Sequence, residues 1–220
     1  MLNNRRCVVL VVAALLILCA PGCAKRDGSA GGKGRSGSVS GTDGVVLGDV
    51  LEEVREDFTC GGSPIHPALV YEFIPWLSDR GPITVAVDLL SAQESNKYFN
   101  CIVKTRAGLT ECDVRALGPD RDQEQTFGYR RLGVLADGTQ VLKTYYWGGG
   151  SGIFPDVVLI RFEPEKTLDD EGRPCTRLLM KALCVFPLGD RDDAEVRVLS
   201  DRVIVGRSKY RDKEVVLKLK

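Results

Sequence analysis

Histidine is almost absent from this chain: His66 is the only one in 220 residues. That excludes an HExxH zinc hydrolase and any site built on two imidazoles. No two cysteines form a CxxC, which removes zinc ribbons and thioredoxin-type redox motifs. Excess charge is also missing, with 30 Lys and Arg against 30 Asp and Glu. No electrostatic case for a nucleic-acid partner follows. No apolar run reaches the roughly 20 residues of a helical membrane span. The glycine-rich stretch near Trp147 lacks the GK[ST] ending of a P-loop, and Ser151 is not in a GxSxG because Ile153 holds the last place. No serine is followed three residues later by lysine. No cofactor and no metal site are expected.

What the chain does have begins at its N-terminus. Arg5 and Arg6 precede an apolar run of 14 residues, Cys7 to Ala20, which Pro21-Gly22 closes. This is the pattern of an export signal, not of a folded element. Its end, Ala20-Pro21-Gly22-Cys23, resembles the lipobox of bacterial lipoproteins, with Gly22 as the small residue before the cysteine. The resemblance implies a signal peptide over residues 1–22 and fatty acylation, of the palmitate type, at Cys23. It also implies a membrane anchor in the bacterial cell envelope. Ala24 in the next position resembles an outer-membrane destination. Ala20 and Gly22 also satisfy the small-x-small rule of plain secretion, which would leave Cys23 a thiol.

Residues 24–44 hold seven glycines and four serines among 21 residues. Such a stretch cannot bury enough apolar surface to offset its ordering entropy. With Cys23 it reads as a lipid-attachment cysteine and a flexible tether over 23–44. Its reach is on the order of 25 Å. Residues 45–220 then form one globular domain, without internal repeats.

Within that domain Leu47, Val50, Leu51, Val54 and Phe58 fall at helical spacing, predicting an amphipathic helix over 46–58. A second short helix starts at Pro67, where proline suits the first turn. Alternation then predicts strands near 83–88, 98–105, 110–116, 129–136, 139–147 and 157–162. Asp137-Gly138 predicts a type I′ turn that sets Val134 opposite Val141. A C-terminal meander covers 195–199, 202–207 and 214–219, and 176–186 is open between strand and helix. The fold class is α+β: two N-terminal helices packed on a mainly antiparallel sheet. A β-sandwich or small barrel is the alternative.

An exported chain with several cysteines is expected to be oxidised. Spacing points to Cys101 with Cys112, facing each other across a hairpin, and Cys175 with Cys184, closing a local loop. With Cys23 acylated, Cys60 is the odd thiol. With His66 it is one candidate nucleophile and base for a hydrolase, an unrecognised carboxylate site being the other, although His66 before Pro67 also suits a helix cap. The acidic group Asp190, Asp192, Asp193 and Glu195 reads as a solvated turn. The segment Trp147 to Phe154 is the candidate contact surface. Glycines there let the backbone approach a ligand, so Trp147, Gly149, Gly150 and Ser151 are the candidate binding residues, for an envelope protein or a glycan. The function expected is a non-enzymatic binding or structural module held by its lipid. An exported hydrolase is the alternative.

Overall fold

Val157-Val158-Leu159-Ile160 contains no polar residue, so a strand through it must be buried on both faces. The computed structural model, which describes residues 43–74, 84–94, 102–114 and 125–219, has that arrangement. Val158 and Ile160 enter one apolar cluster, Val157 and Leu159 another on the opposite face. All four are fully buried.

Their strand, β8 (Phe154–Leu168), belongs to a seven-stranded antiparallel sheet. The other members are β3 (Ala86–Asp88), β4 (Lys104–Arg106), β5 (Leu109–Asp113), β6 (Thr126–Val134), β7 (Gln140–Trp147) and β9 (Pro174–Pro187). The order across the sheet is β3-β9-β8-β7-β6-β5-β4. One face shares a core with α1 (Asp43–Glu56), the small β1 (Thr59–Cys60) and β2 (Ser63–Pro64) hairpin, α2 (Pro67–Tyr71) and α3 (Leu89–Glu94). Val54, Phe58, Leu69 and Phe73 meet Phe127, Leu142 and Phe162 there. The other face carries a three-stranded sheet of β10 (Val196–Val198), β11 (Val203–Val205) and β12 (Val215–Leu217). Its Val203, Val205 and Leu217 pack on Val141, Val157 and Leu159. The described domain is therefore α+β with a mainly antiparallel sheet. The two stacked sheets give it a partial sandwich character, and among the described residues the large sheet ends at β3 and β4 without closing into a barrel.

The C-terminal meander stands as expected, and 176–186 is strand. Helix α1 starts at Asp43, inside the segment assigned to the tether. The hairpin at Asp137-Gly138 is a correction. Leu135 N–H donates to Thr139 O, and Gly138 N–H to Leu135 O, each at 2.9 Å. The loop thus has three residues, with Gly138 alone at positive φ (81°). That is a type I turn closed by a glycine bulge, the usual three-residue solution. Val134 consequently faces Gln140, and Gly133 faces Val141. Val141 and Leu142, consecutive on β7, lie on opposite faces, each in its own core. Two-residue turns with both residues at positive φ occur instead at Gly61-Gly62 and Ala107-Gly108.

Strand β8 also runs past Phe162, where the apolar pattern stops. Beyond it, among the described residues, Pro164–Leu168 and Pro174–Leu178 pair with each other as a two-stranded ribbon. One ion pair joins its strands, Glu165 with Arg177, and another stands at its base, Glu163 with Lys181 at 2.6 Å.

The Gly61-Gly62 turn has a specific anchor. Glu53 accepts hydrogen bonds from Gly62 N–H at 2.6 Å, Thr59 Oγ1 at 2.8 Å and Gly61 N–H at 3.0 Å. These bonds, the Gly62 one first, hold the carboxyl below its ordinary value of 4.5. A depressed pKa contributes stability that is present above the ordinary value and lost as pH falls through the folded value. Glu53→Gln is therefore expected to lower the unfolding midpoint at pH 7. The gap from wild type should close in acid, as pH falls below the ordinary value of 4.5 and through the depressed folded value. Paired thermal melts across pH check this, and a gap independent of pH would refute it.

Candidate functional site

Strands β7 and β8 last pair at Tyr146 and Phe154, so residues 147–153 form the loop between them. Trp147 Nε1–H donates to Gly150 O at 2.5 Å, folding the indole back over the loop. A Cβ at Gly152 would lie 2.8 Å from the Phe154 ring, so the ring would have to move to admit a side chain there. Gly149, Gly150 and Ser151 are exposed at the tip and Trp147 is half-buried. The four residues chosen from the sequence thus share one short loop.

That loop is sewn to two others. Ile153 N–H donates to Asp190 Oδ1 at 2.9 Å, and Arg191 N–H to Ile153 O at 2.7 Å. Tyr210 Oη–H donates to Asp190 O at 2.8 Å, and its ring lies close against Gly189. Ile153, Phe154 and Tyr210 are 40%, 39% and 49% exposed. Together they make an apolar, partly aromatic patch around Asp190. Sequence reasoning missed Asp190 and Tyr210, because their link to Ile153 spans three separate loops and leaves no local signal.

The acidic turn is also a correction. Asp193 and Glu195 are exposed and Asp190 is half-buried, but Asp192 is buried. Its Oδ1 accepts from Ala194 N–H at 2.9 Å, and Oδ2 from Ser208 Oγ at 3.0 Å and from the Arg211 guanidinium. Arg211 also donates to Leu188 O at 3.0 Å. This ion pair therefore clamps the loops beneath the patch.

The Cys60 and His66 side chains are 4% and 7% exposed as residues, so neither is presented to solvent. His66 Nδ1 accepts from Ala68 N–H at 3.1 Å, capping α2. That occupies the lone pair a general base would use.

Cys175 and Cys184 both lie on strand β9. Nine residues of extended chain separate their Cα atoms by about 30 Å, against a disulfide limit of about 7 Å. The local loop between them does not exist, because the segment is one continuous strand. Cys112 is buried in β5, while Cys101 lies outside the described residues, as does Cys23. The hairpin pairs Lys104 with Glu111. That register is two residues away from the one setting 101 opposite 112, because the turn has two residues rather than four.

Among the described residues, no group of three or more His, Cys, Asp or Glu is placed to hold a metal ion. No described helix is long and apolar enough to cross a membrane.

Fold and surface define an α+β domain with an aromatic loop patch at one end of its sheet. No family model, curated protein or solved structure matches the chain.

Proposed function

We propose that this protein is a lipid-anchored binding module of the bacterial cell envelope, with its contact surface on the Trp147–Phe154 loop. The anchor is the acylated Cys23, the destination is the outer membrane, and residues 24–42 tether the domain. The N-terminal helices cover one face of the large sheet, and the loop patch stands at the sheet's end. The observation that carries a binding role is the group of exposed Ile153, Phe154 and Tyr210 around Asp190. Exposed apolar side chains gathered in one place, rather than scattered singly, mark interaction sites.

Metabolic labelling with a radioactive fatty acid tests the anchor. Wild type should carry label, and Cys23→Ala should lose it and leave the membrane fraction. Equal labelling of the two would sink the lipoprotein reading. The hydrolase alternative has no support from Cys60 and His66, which are buried.

A further inference from the structure

The strand register brings together a second set of side chains, which shares only Trp147 with the loop. Lys143 on β7 stands directly opposite Arg130 on β6, and Tyr145 opposite Gly128. Trp147 stands opposite Thr126, and Glu111 on β5 opposite Gly128. Paired residues share a face, as do residues two apart on one strand. Arg130, Lys143, Tyr145, Trp147 and Glu111 therefore line one side of the sheet. It is the side on which Val141 and Val157 pack on the three-stranded sheet. That sheet meets β6 near Gly133, where a Cβ would touch Val198 at 3.4 Å. Further along the strands, Arg130 is exposed and Lys143, Tyr145, Trp147 and Glu111 are half-buried.

Like charges directly opposite on antiparallel strands destabilise a sheet. Lys143 Nζ donates one bond, to Ala194 O at 3.3 Å, and has two further protons. Its burial, opposed by Asp192 and Asp193, pulls its pKa down, and Arg130 and Arg211 add to that. Among the described residues no carboxylate forms an ion pair with Arg130. An anion between the two cations would relieve their repulsion.

We propose that this strip binds a carboxylate-bearing oligosaccharide. Arg130 and Lys143 hold the sugar carboxylate, Tyr145 and Trp147 receive pyranose faces, and Glu111 accepts hydroxyl protons. The proposal rests on reading the protein as an exported binding module. A sugar fits better than an acidic peptide for a physical reason. A sheet face offers side chains only, its backbone groups being used within the sheet, so peptide amides would find no backbone partners. Sugar hydroxyls pair with side chains, and aromatic rings on a rigid strand are fixed platforms for apolar sugar faces.

The test is titration of the detergent-solubilised full chain with tetragalacturonate, followed by tyrosine and tryptophan fluorescence and by calorimetry. Controls are the carboxyl-reduced, neutral tetrasaccharide and tetraglutamate. Tetragalacturonate should bind saturably, and the neutral sugar at least tenfold more weakly. Arg130→Gln and Tyr145→Ala should each weaken binding at least tenfold, with the Arg130→Gln unfolding midpoint not lowered. Raised salt should weaken binding as well. No saturable binding, or equal binding of the neutral sugar, would overturn the proposal. Tetraglutamate binding as tightly would replace it with an acidic-peptide surface. Fatty-acid labelling at Cys23 is read separately, so failure here and failure of the anchor are distinguishable.

Discussion

Asp192→Ala is expected to destabilise the domain by about 3–5 kcal/mol, as when one partner of a buried ion pair is removed. The Asp192 side chain is fully buried and that of Arg211 is 14% exposed. Deleting the carboxylate strands the guanidinium charge and two further donors, Ala194 N–H and Ser208 Oγ–H. Much of that cost arises from the charge left behind, not from the net worth of the pair. Asp192→Ala with Arg211→Leu should therefore be less destabilised than Asp192→Ala alone. Urea denaturation of the two single variants and the double variant checks both parts. A loss below about 1 kcal/mol would show that the loops do not depend on the pair. Because the clamp underlies Asp190 and Tyr210, Asp192→Ala should also disorder the aromatic patch, visible as lost chemical-shift dispersion at Ile153 and Phe154.

The second large effect lies in the core between helices and sheet. Phe127 is fully buried and meets the Tyr71 ring edge-on, centroids 5.3 Å apart. Phe127→Ala removes a whole ring from a close-packed site and should cost about 3–5 kcal/mol. Val216→Ala, at a side chain 51% exposed, should change stability by less than about 0.5 kcal/mol. Denaturant midpoints for the two variants make the comparison. A small effect at Phe127 would mean that α2 is not firmly seated on β6. Tyr129 donates its hydroxyl to Ile65 O at 2.6 Å beneath the same region. Burial, the leading influence, pushes its pKa well up, so the phenol stays protonated and keeps that bond.

Periodicity made much of the fold legible. Leu47 to Val54 at helical spacing, alternation in the strands and the closely spaced strands of the C-terminal meander all act within a few residues, and each corresponds to an observed element. The failures share a cause as well. Gly138 does turn the chain, but two- and three-residue hairpins can both place glycine there. Their difference is one residue of register, which the Asp137-Gly138 pair by itself does not choose. Cys175 and Cys184 are near in sequence and far apart in space, because 174–187 is a strand and not a loop. The ribbon beyond Phe162 carries no apolar alternation, and a cross-strand pair, Glu165 with Arg177, joins its strands.

The candidate site was half visible. A glycine run flanked by aromatics marked the Trp147 loop, because glycine and exposed aromatics are local chemistry. Asp190, Tyr210 and the Asp192–Arg211 clamp depend on three loops meeting, which composition does not encode.

By itself the sequence determined the mainly antiparallel character of the domain, and it is the whole basis of the proposed export signal, acylated Cys23 and tether. These follow from hydropathy, entropy and period-two patterning along a single segment. Only the tertiary structure decided which strands neighbour one another and which acid is buried. It alone set Lys143 opposite Arg130. Those outcomes come from strand register and from burial on two faces, quantities that exist only once distant segments share a core.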